Sequence, residues 1–170
     1  MATQLAGEDI LASDIATPKY VKKAATETVT ASATLQDDND FNLIPLAANK
    51  VYRIEGRFAI SISALGTGDY KQAWVFTGGA TLLTARFSIG SDLGTTDPAS
   101  TMVTTTHTNP TTSTSFGVDD AGATIIMQEF LAITTTVGTL TLQWAQNTAN
   151  GTTSLSGNSY LIITEIEAMA

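Results

Sequence analysis

The chain has 170 residues, of which 43% are apolar and 14% charged, and it contains no cysteine and one histidine. A chain of this length can bury the core of one domain without disulfides or metals, and the missing cysteines exclude thiolate nucleophiles, iron–sulfur clusters and cysteine-ligated zinc. Sixteen acids against eight bases give a net charge of −8, which disfavours a nucleic-acid partner. Threonine, which favours extended backbone, supplies 30 of the 170 residues and predicts an all-β protein.

Residues 1–18 are predicted to form an N-terminal arm outside the β-domain. Residues 8–16 fit two helical turns that end before Pro18, which is too short for a helix to be stable alone in water. We therefore expect the arm to order against a partner or the body. The N-terminus lacks the basic cluster of a secretory signal, and no window reaches the roughly 18 apolar residues of a membrane span. Synthesis in the cytoplasm, with no membrane partner, is expected.

The positive charges are confined to the first half of the chain. Lys19, Lys22 and Lys23 follow the arm directly, whereas Phe87–Ala170 contains seven acids and no base. The three lysines either meet an acidic partner surface or lie on a solvated arm, and the sequence leaves both alternatives open. The asymmetry is typical of a component that docks through one region and faces solvent with another.

From residue 19 onwards apolar residues recur at every second position, which is typical of antiparallel strands with one face exposed to solvent. The clearest strand runs from Val51 to Ser63. Residues 124–133 are apolar at both odd-numbered and even-numbered positions, so this strand is predicted to be covered on both faces. In the last strand, Tyr160, Ile162 and Ile166 are expected on one apolar face. The other predicted strands lie around 26–34, 35–46, 70–76, 83–89 (ended by Gly90) and 139–144, with Trp74 and Trp144 in the core.

About eight strands with no intervening helix predict an antiparallel β-sandwich of jelly-roll type over residues 19–170. Ser91–Val118 is the exception, because it is long, polar and weakly patterned, as functional or mobile loops are. One short strand is predicted inside it, at 101–106. If this loop faces a receptor, the candidate contact residues are Thr101, Thr105, His107 and Asn109.

The sequence shows no arrangement typical of a catalytic or metal site. His107 is the single imidazole, and an exposed loop histidine is favoured over a general base. Residues 37–40 (Asp-Asp-Asn-Asp) cluster hard oxygen ligands but lack the EF-hand spacing, so a turn is favoured over a calcium site. We therefore predict that the chain is not an enzyme and binds neither metal nor cofactor.

Two glutamates lie well inside predicted strands. Glu55 shares a polar face with Arg53 and Arg57, and a surface ion pair is the simplest expectation. Glu129 has apolar neighbours on its own face. It is therefore either buried at a subunit contact or exposed near a strand end, and the sequence does not choose between the two.

Several segments resemble a family of small jelly-roll virion proteins of tailed bacteriophages. They are residues 21–29 with 32–38, residues 44–52, and residues 138–148 with 157–161, and together with the arm segment 6–14 they cover about half of the chain. The resemblance implies a homotrimer whose N-terminal arm grips the shell and whose β-body projects outward. The composition and the periodicity do not by themselves indicate a trimer.

The function implied by this resemblance is decoration and cementing of a phage capsid on its outer surface, by bridging subunits of the major capsid protein. The expected docking residues are Leu5, Ile10, Leu11, Ile15, Lys19, Lys22 and Lys23. The alternative is a head-fibre or tail-fibre knob that binds a host receptor or glycan through Ser91–Val118. A carbohydrate-active enzyme is the least supported reading, since it needs a carboxylate pair in one cleft.

Overall fold

The computed structural model describes residues 17–63, 69–78, 80–83, 86–91, 102–107, 111–118 and 124–168. These residues form fourteen strands and no helix, so the predicted all-β class is confirmed. The strands are β1 Lys19–Lys22, β2 Glu27–Thr30, β3 Gln36–Asp37, β4 Ile44–Leu46, β5 Lys50–Ile62, β6 Tyr70–Thr77, β7 Ala80–Leu83, β8 Arg86–Ser91, β9 Met102–His107, β10 Thr114–Phe116, β11 Thr124–Thr134, β12 Gly138–Ala145, β13 Thr152–Leu155 and β14 Tyr160–Ala168. In this part of the chain nothing helical is long and apolar enough to cross a membrane.

The strands form two antiparallel sheets, as predicted for a sandwich. The larger sheet has nine strands in the order β1-β14-β5-β11-β8-β9, with β13 beside β2 and β5 and with β7 beside β11. The smaller sheet has five strands in the order β10-β6-β12-β3, with β4 also beside β12. The long strand β5 lies inside the larger sheet, hydrogen-bonded to β11 along one side and to β14 and β13 along the other.

The core lies between the inward faces of the two sheets. Alternate residues of β5 are buried, as the period of two predicts, and Phe58 packs 6.3 Å from Trp74 of the smaller sheet, measured between ring centroids. Trp74 in turn lies 5.2 Å from Phe130 of β11. Trp74 and Trp144 are both fully buried, which confirms their predicted place in the core.

In two strands the buried and exposed residues differ from those that the sequence predicts. In β11 only every second residue is buried, and Ile125 and Met127 are exposed, so the prediction of a strand covered on both faces is wrong. In β14 the buried residues are Leu161 and Ile163, while Tyr160 faces out. Both strands are apolar at both parities, so the pattern alone does not orient them. Their register against β5 does.

The region between residues 80 and 118 also departs from the prediction. The single strand expected at 83–89 is two strands, β7 and β8, and β8 continues through Gly90, which pairs with Val103. The short strand predicted at 101–106 is confirmed as β9, whereas β10 was not predicted. Fourteen strands are described where about eight were expected, because the predicted strands 35–46 and 83–89 are each two strands, β9 adds to the count, and β1, β10 and β13 were not predicted.

The start of β12 comes very close to the end of β6. A Cβ placed on Gly138 would overlap the carbonyl oxygen of Thr77, so only glycine fits between the two backbones. Gly157, in the turn between β13 and β14, is different, because a Cβ there would make ordinary contacts of 3.5–3.6 Å.

We expect Gly138→Ala to lower the free energy of unfolding by about 1–3 kcal/mol, since the paired strands must move apart to admit the methyl group. Gly157→Ala is the matched control, with stability unchanged or slightly raised through a less flexible unfolded chain. Urea denaturation of both variants measures the difference. Equal midpoints for the two would contradict the close approach at Gly138.

Candidate functional site

The outward face of the larger sheet carries most of the exposed large apolar side chains. Seven such side chains occur among the described residues, and four of them lie here: Tyr20, Ile125, Met127 and Tyr160, with exposed fractions of 69%, 36%, 54% and 38%. They come from β1, β11 and β14, with β5 between the last two. Single exposed apolar residues are ordinary, but a group of them on adjacent strands makes this face a candidate interaction surface.

The strand register arranges this face in two rows of cross-strand neighbours, which lie about 5 Å apart in such pairs. The first row is Lys22, Tyr160, Arg57 and Met127, each opposite the next. The second row is Tyr20, Ile162, Glu55 and Glu129. We call these eight residues, together with Arg53 and Ile125, the outer patch.

Ion pairs order the polar part of the outer patch. Arg53 donates from Nε to Glu129 Oε1 at 3.1 Å and from Nη2 to Glu129 Oε2 at 3.0 Å, and Nη2 also reaches Glu55 Oε1 at 3.1 Å. The hydrogen bond to Glu129 and the nearby carboxylate charges raise the pKa of Arg53. The predicted pairing of Glu55 with an arginine is confirmed. Glu129 is exposed, but in the middle of its strand rather than near an end.

A shallow hollow of about 190 Å³ lies between the two rows. Met127, Tyr160 and Ile162 form its apolar wall, and Glu55, Arg57 and Glu129 contribute charge around it. It is smaller than the roughly 300–1,000 Å³ of typical small-molecule pockets. Aromatic, methionine and arginine side chains are the types enriched in protein–protein interfaces, so the hollow suits a side chain of a protein partner.

The structure separates the two groups of predicted contact residues. Lys19 and Lys22 are exposed on β1, at one edge of the larger sheet, and Lys22 belongs to the outer patch. Thr105 and His107 lie in β9, at the opposite edge of the same sheet. The remaining predicted contacts fall outside the described residues: Leu5, Ile10, Leu11, Ile15, Thr101 and Asn109.

Lys23 is not a docking residue, and this prediction is wrong. Its side chain is buried, with an exposed residue fraction of 1%, and its Nζ donates to Asp38 Oδ2 at 2.7 Å and Glu27 Oε2 at 2.8 Å. Asp40 Oδ2 lies further away, at 3.4 Å. The ammonium also lies 5.7 Å from the centre of the Phe41 ring. A buried lysine needs such compensation, and here it comes from carboxylates up to 17 residues further along the chain.

Both carboxylate oxygens of Asp38 accept two hydrogen bonds each. Its Oδ1 accepts the backbone N–H groups of Asp40 at 2.9 Å and Phe41 at 2.8 Å, which confirms the turn predicted over residues 37–40. Its Oδ2 accepts the indole N–H of Trp144 at 3.1 Å as well as the Lys23 ammonium. We call Lys23, Glu27, Asp38, Asp40 and Trp144 the Lys23 cluster.

The electrostatics of the Lys23 cluster favour an ion pair. Burial lowers the pKa of the Lys23 amine, but the hydrogen bonds to Asp38 and Glu27 and the negative charges of these two carboxylates together outweigh it, so the pKa of Lys23 is raised. The ammonium therefore occupies the space between the carboxylates. In the described part of the chain, no group of three or more acidic or imidazole side chains is arranged to hold a metal ion.

Comparison with known proteins does not assign this site. No model of a known protein family matches the chain, and no curated protein sequence matches it. Function is therefore inferred from the geometry of the outer patch.

We expect Asp38→Ala to lower the free energy of unfolding by about 3–5 kcal/mol, because it removes the nearest carboxylate from the buried Lys23 ammonium and leaves the N–H groups of Phe41 and Trp144 without an acceptor. Asp37→Ala is the matched control. The Asp37 side chain is exposed and accepts one hydrogen bond, from Gln143 at 2.8 Å, so its loss is expected to change stability by no more than about 0.5 kcal/mol. Urea unfolding distinguishes the two, and similar losses in both variants would contradict a central role for Asp38.

Proposed function

We propose that this chain is a structural virion protein of a tailed bacteriophage, which decorates the outer capsid surface as a homotrimer and cements neighbouring coat subunits. The outer patch is the observation that carries the proposal. It combines exposed aromatic, methionine and arginine side chains on one sheet face, which is the composition of a protein-docking surface. The resemblance of the segments described above supplies the virion context.

The strand order supports a sandwich of jelly-roll type. If β1 with β2, β3 with β4 and β13 with β14 are each counted as one interrupted strand, and β7–β9 are set aside as an insertion, eight strand positions remain. Numbered along the chain, the larger sheet then reads 1-8-3-6 and the smaller sheet 5-4-7-2. In this order strands from the two ends of the chain are neighbours, as in two interleaved Greek keys. Such a fold hosts many functions, so it supports the assignment only by analogy.

The connection between arm and patch supports a docking role. The predicted arm, residues 1–18, leads directly into β1, and two side chains of β1, Tyr20 and Lys22, belong to the outer patch. Arm and patch are therefore adjacent along the chain and can engage one coat surface. Burying both across a joint between coat subunits adds contacts that must break before the shell can rupture.

The outer patch can be tested by placing a charge in its hollow. We expect Met127→Lys to weaken binding to capsids that lack this protein by about tenfold or more, because the ammonium loses its hydration at the interface. Leu43→Lys is the matched control, since Leu43 is 63% exposed but lies on the loop before β4 and outside the patch. Co-sedimentation with capsids measures both. Equal binding by Met127→Lys and the unaltered chain would overturn docking through this face.

The arm has its own test. Deletion of residues 1–18 leaves β1 intact, so we expect a folded trimer that no longer binds capsids. Sedimentation is expected to give three times the mass of the truncated chain, just as the full chain of 17.8 kDa is expected to sediment as a trimer. A monomer would contradict the trimer, and capsid binding by the truncated chain would contradict the role of the arm.

The position on the particle separates the two virion roles. Immunogold labelling of intact virions, with an antibody against residues 19–170, is expected to mark the whole head. Label restricted to a tail tip or to sparse fibres would contradict decoration and favour a knob that binds a host receptor or glycan. Absence of label from every particle would contradict both roles.

A further inference from the structure

We propose that Lys23 and Asp38 become joined by an intramolecular isopeptide bond, an amide between Lys23 Nζ and Asp38 Cγ that forms with loss of one water, and that Glu27 transfers the protons. The proposal concerns the Lys23 cluster alone. It is independent of any role in a virion.

The two reacting groups are already in contact. Lys23 Nζ lies 2.7 Å from Asp38 Oδ2, so the carbon under attack is one bond further on, and both side chains are fully shielded from solvent. Holding an amine and a carboxyl together in this way replaces a bimolecular encounter by an intramolecular one, with effective concentrations of about 10⁵–10⁸ M in well-aligned cases. Shielding from water also favours condensation, because the ion pair is poorly solvated there while the amide product is neutral.

The surroundings of Asp38 fit the needs of its carboxyl group as an electrophile. Oδ1 accepts two backbone N–H groups, from Asp40 at 2.9 Å and Phe41 at 2.8 Å, and these donors are placed to stabilise the negative charge that develops on Oδ1 in a tetrahedral intermediate. Oδ2 accepts the Trp144 indole N–H at 3.1 Å. Oδ2 is therefore the oxygen that leaves.

Glu27 is placed to move protons between nitrogen and oxygen. Its Oε2 lies 2.8 Å from Lys23 Nζ and is fixed by the backbone N–H of Asn39 at 3.1 Å. It is only 13% exposed, so it faces the reacting atoms rather than bulk water. A carboxylate within hydrogen-bond reach of the nucleophile is the geometry required of a general base.

The step balances without any co-reactant. The Lys23 ammonium gives one proton to Asp38 Oδ2, and the freed nitrogen lone pair attacks Cγ while the carbonyl electron pair moves to Oδ1. Glu27 takes a second proton from nitrogen. The C=O bond then re-forms, the bond from Cγ to Oδ2 breaks, and Oδ2 leaves as water with the proton returned by Glu27. One N–H remains on the amide, and Glu27 is again a carboxylate.

The test is the intact mass of the full-length chain, purified folded and kept at neutral pH until the mass is constant. We expect a mass lower than that of the sequence by one water. Glu27→Gln keeps an oxygen for the Asn39 N–H but cannot carry the proton, so we expect the full mass in a folded variant. Lys71→Arg is the matched control, because Lys71 lies in β6 of the smaller sheet, outside both the Lys23 cluster and the outer patch, and we expect it to lose water like the unaltered chain.

Tryptic peptides identify the bond that formed. No lysine or arginine lies between Lys23 and Lys50, so an unmodified chain yields the peptide 24–50. The crosslink blocks cleavage after Lys23 and yields a looped peptide 23–50 that lacks one water. The full mass in the folded unaltered chain would overturn the proposal, and so would loss of water together with peptide 24–50, which indicates an aspartyl succinimide. A crosslink in Glu27→Gln would overturn the role of Glu27.

Discussion

The contact between the buried Lys23 ammonium and the Asp38 carboxylate is the constraint on which this corner of the sandwich depends. It ties the turn after β1, in the larger sheet, to the loop between β3 and β4, which leads into the smaller sheet. The same carboxylate accepts the Trp144 indole N–H and two backbone N–H groups of its own turn. Any shift of this loop would take the nearest carboxylate away from the buried ammonium and leave several buried donors unpaired, which is costly in a low-dielectric interior.

The outward surface follows from the same geometry. Side chains alternate along β1, where Tyr20 and Lys22 point outward, and Lys23, directly after the strand, is buried on the inner side. Pairing of β1 with β14 then sets these two beside Tyr160 and Ile162, and β5 adds Arg57. A slip of one residue would exchange the inner and outer sets. The proposed docking and the proposed crosslink thus use opposite faces of one register, and each can fail without the other.

The sequence predicts which face of a strand is buried only where the odd-numbered and even-numbered positions of that strand differ in polarity. In β5, polar residues alternate with apolar ones, and the predicted faces agree with the structure. In β11 and β14 both the odd-numbered and the even-numbered positions are apolar. The pattern therefore predicts a strand but not which of its faces is buried, and the exposure of Met127 and Tyr160 was missed. The outer patch was missed for the same reason. Its signal in the sequence is that β11 and β14 carry apolar residues on the outward face, where β5 carries polar ones.

The all-β class, the burial of Trp74 and Trp144 and the turn at residues 37–40 could be predicted from the sequence, since each depends on local preference or on a short periodic pattern. The burial of Lys23 could not, because it depends on contacts between remote segments of the chain. A lysine that follows a predicted arm is ordinarily expected in solvent, and nothing within a few residues of it provides the full compensation. Its partners, Asp38 and Trp144, come from a loop 15 residues away and a strand more than 100 residues away. Contacts at such distances along the chain depend on strand pairing between remote segments, which local periodicity does not encode.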